Sequence, residues 1–269
     1  MKKRFQDKVA LITGASSGIG EALARQLAAE GAGLCLFARR ADRLQALQSE
    51  LEASGAQVVV YAGDVTVPSD LEGAVALALE RFGRLDLVVA NAGIGVTSPF
   101  SRLTTEDYRH QFEVNFFGVL HTLFASLEAL KASQGQAVLV GSVAGLAGTP
   151  GSSPYNASKF AVVGLAESLY YDLGKEGIAV TLVNPGFVES EIRLLDNRGA
   201  RTGRGDPVPS WLVMPASKAA SVILKAVYKK KAVVVVTFHG VVLSWLKRFC
   251  PALIRLLLRQ GSYRKERKK

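Results

Sequence analysis

The amino-acid sequence predicts an α/β protein: a doubly wound, parallel sheet of about seven strands in one domain, followed by a helical extension at the C-terminal end. Two observations carry this expectation. Seven short, continuously apolar runs alternate with amphipathic segments of helical length, the pattern of strands buried on both faces beneath crossover helices. The chain of 269 residues, 49% of them hydrophobic, shows no internal repeat and no low-complexity linker, so it is long and apolar enough to bury one sizeable core.

In chain order, the first strand is VALIT (9–13), and a glycine-rich turn then opens a helix. The second strand, LCLFA (34–38), runs into Arg39 and Arg40, and the third, VVVYA (58–62), runs into Gly63-Asp64-Val65. LDLVVA (85–90) is the fourth and ends on Asn91-Ala92-Gly93; an apolar helical stretch containing Asn115 follows it. AVLVG (137–141) is the fifth and is followed by Ser142, AVTLV (179–183) is the sixth, and AVVVV (232–236) is the last. Residues 196–215 are rich in Gly, Pro and Arg and form a long irregular insertion, a type of segment that often serves as a lid. The expected organisation is a domain over 1–237 and an apolar, basic helical extension over 238–269.

Charge is unevenly placed. Of the formal +10, nine Lys and Arg from Lys247 onward set against Glu266 account for +8, leaving about +2 for the rest. A nearly neutral body excludes a nucleic-acid partner, which would need basic residues across one of its faces. Cys35 and Cys250 form no framework or metal-ligand spacing and are expected to be free thiols in a reducing, cytoplasmic setting, with no metal site. The opening MKKRFQDKVALITG leads into a strand and lacks the form of a signal peptide.

Two constellations point to chemistry. In PYNASKF, Tyr155 and Lys159 stand four residues apart, on one face of a helix about one turn from each other. A cation beside a phenol favours the phenolate and draws its pKa from about 10 toward the working pH, where a general acid/base is most effective. In TGASSGIG, Gly14, Gly18 and Gly20 let the backbone turn and approach a pyrophosphate at a helix N-terminus. At the end of the second strand, where an acidic residue would hold the ribose hydroxyls of NAD, the chain has Arg39 and Arg40, which suit a 2′-phosphate. Ser16 and Ser17 add hydroxyl donors to the same cradle.

With TGASSGIG, GDV, NAG, Asn115, Ser142, YNASK and NPGFVESE in this order, residues 8 to about 237 closely resemble the short-chain dehydrogenases/reductases. The resemblance implies a Rossmann-type fold and assigns roles by position. Tyr155 would be the acid/base, and Lys159 would lower its pKa and bond the nicotinamide ribose. Ser142 would hold the substrate oxygen, and Asn115 would shape its helix and support a water relay to the lysine. Gly14, Ser16, Ser17, Gly18, Ile19 and Gly20 would line the pyrophosphate. Asp64 and Val65 would lie at the adenine, and Asn91, Ala92 and Gly93 beside the ribose. Pro185, Gly186, Val188 and Ser190 would hold the carboxamide, with Ser190 in place of the more usual threonine.

The implied activity is NADP(H)-dependent interconversion of a carbonyl and a secondary alcohol by a homodimer or homotetramer built on the helices of Asn115 and Tyr155. A catalytically idle, cofactor-sensing interaction protein is the alternative of another class, and the intact Ser/Tyr/Lys set argues against it. An enzyme of small polar ketones is the alternative within the class. The segment from His239 combines apolar bulk with basic residues, and its longest uncharged run, Ala232 to Leu246, is too short to span a bilayer. It is expected either to lie on an anionic membrane surface, which would favour a hydrophobic or lipid-like ketone as substrate, or to pack over the substrate pocket or a partner subunit with the terminal YRKERKK as a solvated tail.

Overall fold

The computed structural model describes residues 3–195, 197, 203 and 205–266, with side chains described up to residue 259. Seven parallel strands form one sheet in the order β3-β2-β1-β4-β5-β6-β7. They are β1 (Val9–Thr13), β2 (Gly33–Ala38), β3 (Val58–Ala62), β4 (Leu87–Ala90), β5 (Gln136–Val140), β6 (Ala179–Asn184) and β7 (Val233–Val235). The helices that cross between them are α1 (Gly18–Ala29), α2 (Ala41–Ala53), α3 (Pro68–Phe82), α4 (Thr105–Phe112), α5 (Gly118–Ser133), α6 (Ser153–Asp172) and α7 (Ala216–Tyr228). Two more, α8 (Phe238–Phe249) and α9 (Pro251–Glu266), follow the last strand, and the break between them falls at Pro251, which cannot continue a helix through its nitrogen.

The continuous apolar runs are explained by burial on both faces. Along β1, Ala10 and Ile12 join Leu23, Leu27, Ile223 and Leu224 in one core layer. Val9 and Leu11 point the other way, into a second layer with Leu71, Val119, Leu130 and Val162. Period-two alternation therefore sends successive apolar residues into two cores, so none is left for water. β4 is shorter than its apolar run and begins just after the buried Asp86. The Asp86 carboxylate accepts from Lys8 (2.9 Å) and the Val9 N–H (3.0 Å).

The order of connections reverses at β1, which pairs with β2 on one side and β4 on the other. A crevice opens outside the carboxyl ends of the strands at such a point, and ligands of doubly wound sheets bind there. The motif-bearing turns after β1, β2, β4, β5 and β6 all emerge at that edge.

Candidate active site

The turn after β1 is shaped by backbone. Gly14 and Gly18 have φ of +68° and +57°, a region that side chains rarely adopt. A Cβ on Gly14 would lie 2.9 Å from Ala92 Cα, and one on Gly20 would run into the Gly14 carbonyl. Helix α1 starts at Gly18 without a side-chain cap from Ser17, so no cap competes for its first N–H groups at the crevice edge. Ile19 packs partly buried against the core beneath. Asn91 fastens β4 to this turn: its Nδ2 donates to Thr13 O at 2.8 Å, while Thr13 Oγ1 accepts from the N–H groups of Asn91 (3.0 Å) and Ala92 (3.1 Å).

The two arginines after β2 are not equivalent. Arg40 lies over the cradle, donating to Ser16 Oγ (2.9 Å), Ser17 Oγ (2.8 Å) and Glu191 Oε2 (2.6 Å). Arg43 donates to the same Glu191 oxygen at 2.9 Å. Arg39 is largely exposed, with Asp64 3.8 Å away. Asp64 in turn accepts from the N–H (3.0 Å) and hydroxyl (2.9 Å) of Thr66, closing a local Asx turn. The Val65 side chain is buried, and its carbonyl accepts from His121 Nδ1 at 3.0 Å. The left-handed glycines, the uncapped helix start and the Arg and Ser donors together fit the diphosphate and ribose of a dinucleotide.

Four side chains meet at the next part of the edge. Ser142, directly beyond β5, takes an extended backbone, donates its N–H to Asn184 Oδ1 (3.2 Å) and accepts on Oγ from Ala144 N–H (3.1 Å). Tyr155 stands in the first turn of α6, directly after Pro154, and Lys159 is one turn further. The Lys159 ammonium donates to Val140 O at 2.8 Å and lies 5.9 Å from the Tyr155 ring centroid. Asn115 sits in a π-helical turn, Glu113–Phe117, between α4 and α5. Its Oδ1 accepts from Ile94 N–H (2.8 Å), and its Nδ2 donates to Ile94 O (3.1 Å) and Ser158 Oγ (3.3 Å). A Cβ on Gly93 would lie 3.2 Å from Asn115 Oδ1 and 3.8 Å from Lys159 Nζ, so this glycine faces both.

The electrostatics differ in sign from the expectation for Tyr155. Burial raises the phenol above its ordinary value of 10, while the hydrogen-bonding Ser142 hydroxyl and the Arg193 charge pull it partway back. Burial also lowers Lys159, to about 8, and one of its three N–H donors goes to the Val140 carbonyl. The phenol is thus held in its protonated form at neutral pH, as a donor rather than a phenolate.

The far wall is the loop Pro185–Ser190. Pro185 O accepts from Val143 N–H (2.9 Å), and Phe187 and Glu189 exchange 2.9 Å backbone bonds with Met214. Buried Val188 lies between them and accepts on its carbonyl from Arg193 at 3.0 Å. Ser190 spends its Oγ capping the next turn, accepting from Ile192 N–H at 3.2 Å. It also brings the two motif loops together, since a Cβ on Gly18 would be 3.3 Å from Ser190 Cβ. Gly186 is pressed against Thr237 and His239 from the start of α8. Much of the 196–215 insertion lies outside the described residues, but at its base Arg193 is clamped to Asp206 (2.6 Å).

Thr13, Arg43, Glu191, Arg193 and His239 belong to the site, although the sequence analysis did not single them out. Thr13 and Glu191 lay inside quoted motifs, which was their only signal. Nothing in the sequence pairs His239 with a loop more than fifty residues earlier.

Comparison with known proteins agrees with this geometry. The profile of the family described as short chain dehydrogenase matches residues 8–199. The 11-beta-hydroxysteroid dehydrogenase-like 4A of Arabidopsis thaliana is 35% identical over 259 residues, 94% of this chain and 84% of that protein. The crystal structure of a short chain dehydrogenase/reductase from Burkholderia phymatum in complex with NAD superposes with a TM-score of 0.83 at 28% identity, over 93% of this chain and 96% of that one. An alcohol dehydrogenase of the archaeon Thermococcus sibiricus complexed with 5-hydroxy-NADP gives 0.75 at 31%, over 85% and 95%. With a dinucleotide cradle, a Ser/Tyr/Lys/Asn cluster at the switch point of a seven-stranded parallel sheet, and these matches, the chain belongs to the short-chain dehydrogenases/reductases, Rossmann-type oxidoreductases that act on CH–OH groups with a nicotinamide cofactor.

Proposed function

We propose that the chain is an NADP(H)-dependent reductase of a hydrophobic, lipid-like ketone. The observation that carries the reading is the cluster of Ser142, Tyr155 and Lys159 beside a cradle lined by Arg40, Ser16 and Ser17. When bound, the nicotinamide supplies the hydride. Tyr155, kept protonated by burial, donates its proton to the carbonyl oxygen, and Ser142 holds that oxygen in line. Lys159 holds the ribose and, through its positive charge, stabilises the phenolate that proton donation leaves. Asn115, bonded to Ile94 beside Lys159, fixes the floor of this pocket.

Cofactor selectivity rests on the arginines. The two solved neighbours hold NAD in one case and a derivative of NADP in the other, so kinship leaves the preference open. Arg40 and Arg43, with Arg39 at the rim, offer charge-assisted bonds that a 2′-phosphate uses and NADH does not. Support for a hydrophobic substrate comes from the large exposed side chains Phe187, Trp211 and Phe238 in the segments framing the far wall, and from the steroid dehydrogenase name of the plant relative.

The extension supports peripheral contact with an anionic bilayer. Trp245, Phe249, Leu253, Leu256 and Leu257 are exposed on α8 and α9, among Lys247, Arg248, Arg255 and Arg259. Such a face suits the interfacial plane. Among the described residues no helix is long and apolar enough to cross a membrane. Exposed Phe117, Phe124, Phe160 and Tyr171 beside and along α5 and α6 support association of two or four copies through those helices.

The test is a panel of ketones and aldehydes of graded chain length, each assayed with NADPH and NADH. Turnover should rise with chain length and favour NADPH. No turnover of any member would leave the cofactor-sensing alternative standing, and equal use of NADH would refute the role of the arginines.

A further inference from the structure

We propose that His239 is a positioning residue for the nicotinamide end of the site, a latch through which the first turn of α8 holds the Pro185–Val188 loop. The inference rests on the cofactor reading above, but the contacts that motivate it are the chain's own. The Phe187 N–H donates to His239 Nε2 at 3.0 Å, and the two rings stack with centroids 5.3 Å apart and planes 26° from parallel. Thr237 Oγ1 lies 3.1 Å from the same nitrogen and accepts from Gly240 N–H at 3.3 Å as the cap of α8. One hydrogen arrangement fits these contacts. The ring proton is on Nδ1, the single lone pair of Nε2 accepts from the Phe187 N–H and is shared with the Thr237 hydroxyl as a second, weaker donor, and the hydroxyl oxygen receives the Gly240 N–H.

The latch has no slack. Gly186 is pressed so closely against Thr237 and His239 that a Cβ there would overlap both, and a Cβ on Gly240 would lie 2.7 Å from Val143, the neighbour of Ser142. Pro185 is held by Val143, Phe187 O and Glu189 N–H by Met214, and Val188 O by Arg193. Of these pins, His239 alone titrates near neutrality. Burial lowers its pKa, in keeping with a ring that must stay neutral to accept. The charged groups around it are few. Arg193 stacks over Phe187 at 6.0 Å and is paired with Asp206, Glu189 lies exposed on the loop, and Lys247 and Arg248 are at the far end of α8. The 143–145 turn, β7 and the 210–215 segment contribute no charge. A proton on Nε2 removes the acceptor and sets an N–H against the Phe187 N–H, so acid releases the loop.

The experiment measures the NADPH dissociation constant by fluorescence from pH 8 down to pH 5 for the natural chain, His239→Gln and His239→Ala. Amide hydrogen exchange at Phe187 is followed without cofactor. Gln places an acceptor near the Nε2 position and cannot be protonated. The natural chain should bind about tenfold more weakly once His239 is protonated, the worth of about one lost hydrogen bond. His239→Gln should show little change over this range, and His239→Ala should bind weakly throughout, with fast exchange at Phe187. Natural-chain binding that His239→Ala leaves unchanged would overturn the positioning role, even if Phe187 exchange quickens. A natural chain that binds no nicotinamide cofactor at any pH would refute the cofactor reading and this inference with it, whereas Phe187 exchange would still report whether the contact exists.

Discussion

The two sides of the crevice are made of opposite materials. The cradle side is backbone and small polar groups: left-handed Gly14 and Gly18, Thr13 and Asn91 stitching β1 to β4, and Arg40 folded over two serines. The C-terminal side is large apolar side chains in the open, with Trp211 and Phe238 each 82% exposed and Trp245 58% exposed. On the first side many of the polar side chains are already bonded to one another, and the start of α1 is left without a side-chain cap. The second leaves apolar area in water, which is favourable only if something apolar covers it. The difference teaches where each kind of selectivity would reside under the proposed function: the constant parts of a cofactor can be held by backbone, whereas a hydrophobic substrate and a surface delivering it would be met by side chains.

The sharpest way to break the comparison is to remove chemistry while leaving both sides intact. Tyr155→Phe deletes one hydroxyl, and turnover should fall by about 10² to 10⁴, the usual worth of a general acid, while the NADPH dissociation constant stays within about twofold. Fluorescence titration beside a steady-state assay separates the two quantities. Full turnover by the variant would mean that the proton comes from elsewhere.

Arg40→Ala probes the cradle side alone. Loss of a charge-assisted contact should weaken NADPH by about tenfold or more and leave NADH nearly unchanged. Glu191→Gln should act in the opposite direction, tightening NADPH by a few-fold, because a carboxylate would no longer compete for Arg40 and Arg43. An NADH affinity that falls in parallel with NADPH would show that Arg40 serves the cradle's shape and not the phosphate.

The pH response sharpens the picture of the centre. Burial lowers Lys159 from 10.5 to about 8, so its ammonium is lost well before that of a surface lysine. The reductive rate should therefore decline as pH rises through about 8. Stability moves the other way: between about 8 and 10.5 the unfolded chain binds more protons at this residue than the folded one, so this group's contribution to stability rises with pH. Lys159→Arg, which stays charged, should remove the alkaline decline if the charge is what matters, and a pH–rate profile of both proteins decides it.

The smallest effect on turnover is expected at the open side. Trp245→Ser combined with Phe249→Ser should leave reduction of a short, water-soluble ketone within about twofold, since exposed residues away from special features change little. Co-sedimentation with anionic liposomes at low salt should nevertheless fall several-fold, as buried apolar area and basic charge act together at a bilayer surface. Unchanged sedimentation would point instead to a second copy of the chain as the cover of this face.

Much of the architecture was legible because its causes are local. Each apolar run named a strand to within two residues at either end, since burial on both faces leaves a continuous signature. The i, i+4 spacing put Tyr155 and Lys159 on one helix face, and the glycine spacing announced a tight turn, which the structure builds with left-handed Gly14 and Gly18. What tertiary structure alone decided was which distant groups meet. It set Glu191 against Arg40 and Arg43, turned the helix at Asn115 into a π turn, and placed one Lys159 N–H on the Val140 carbonyl, with burial the largest influence on the resting Tyr155 phenol. It also laid His239 on Phe187. Periodicity records whether a residue faces the core or water, but it carries no record of which partner lies opposite; that is settled only when helices and loops from separate crossovers close over the same strand ends.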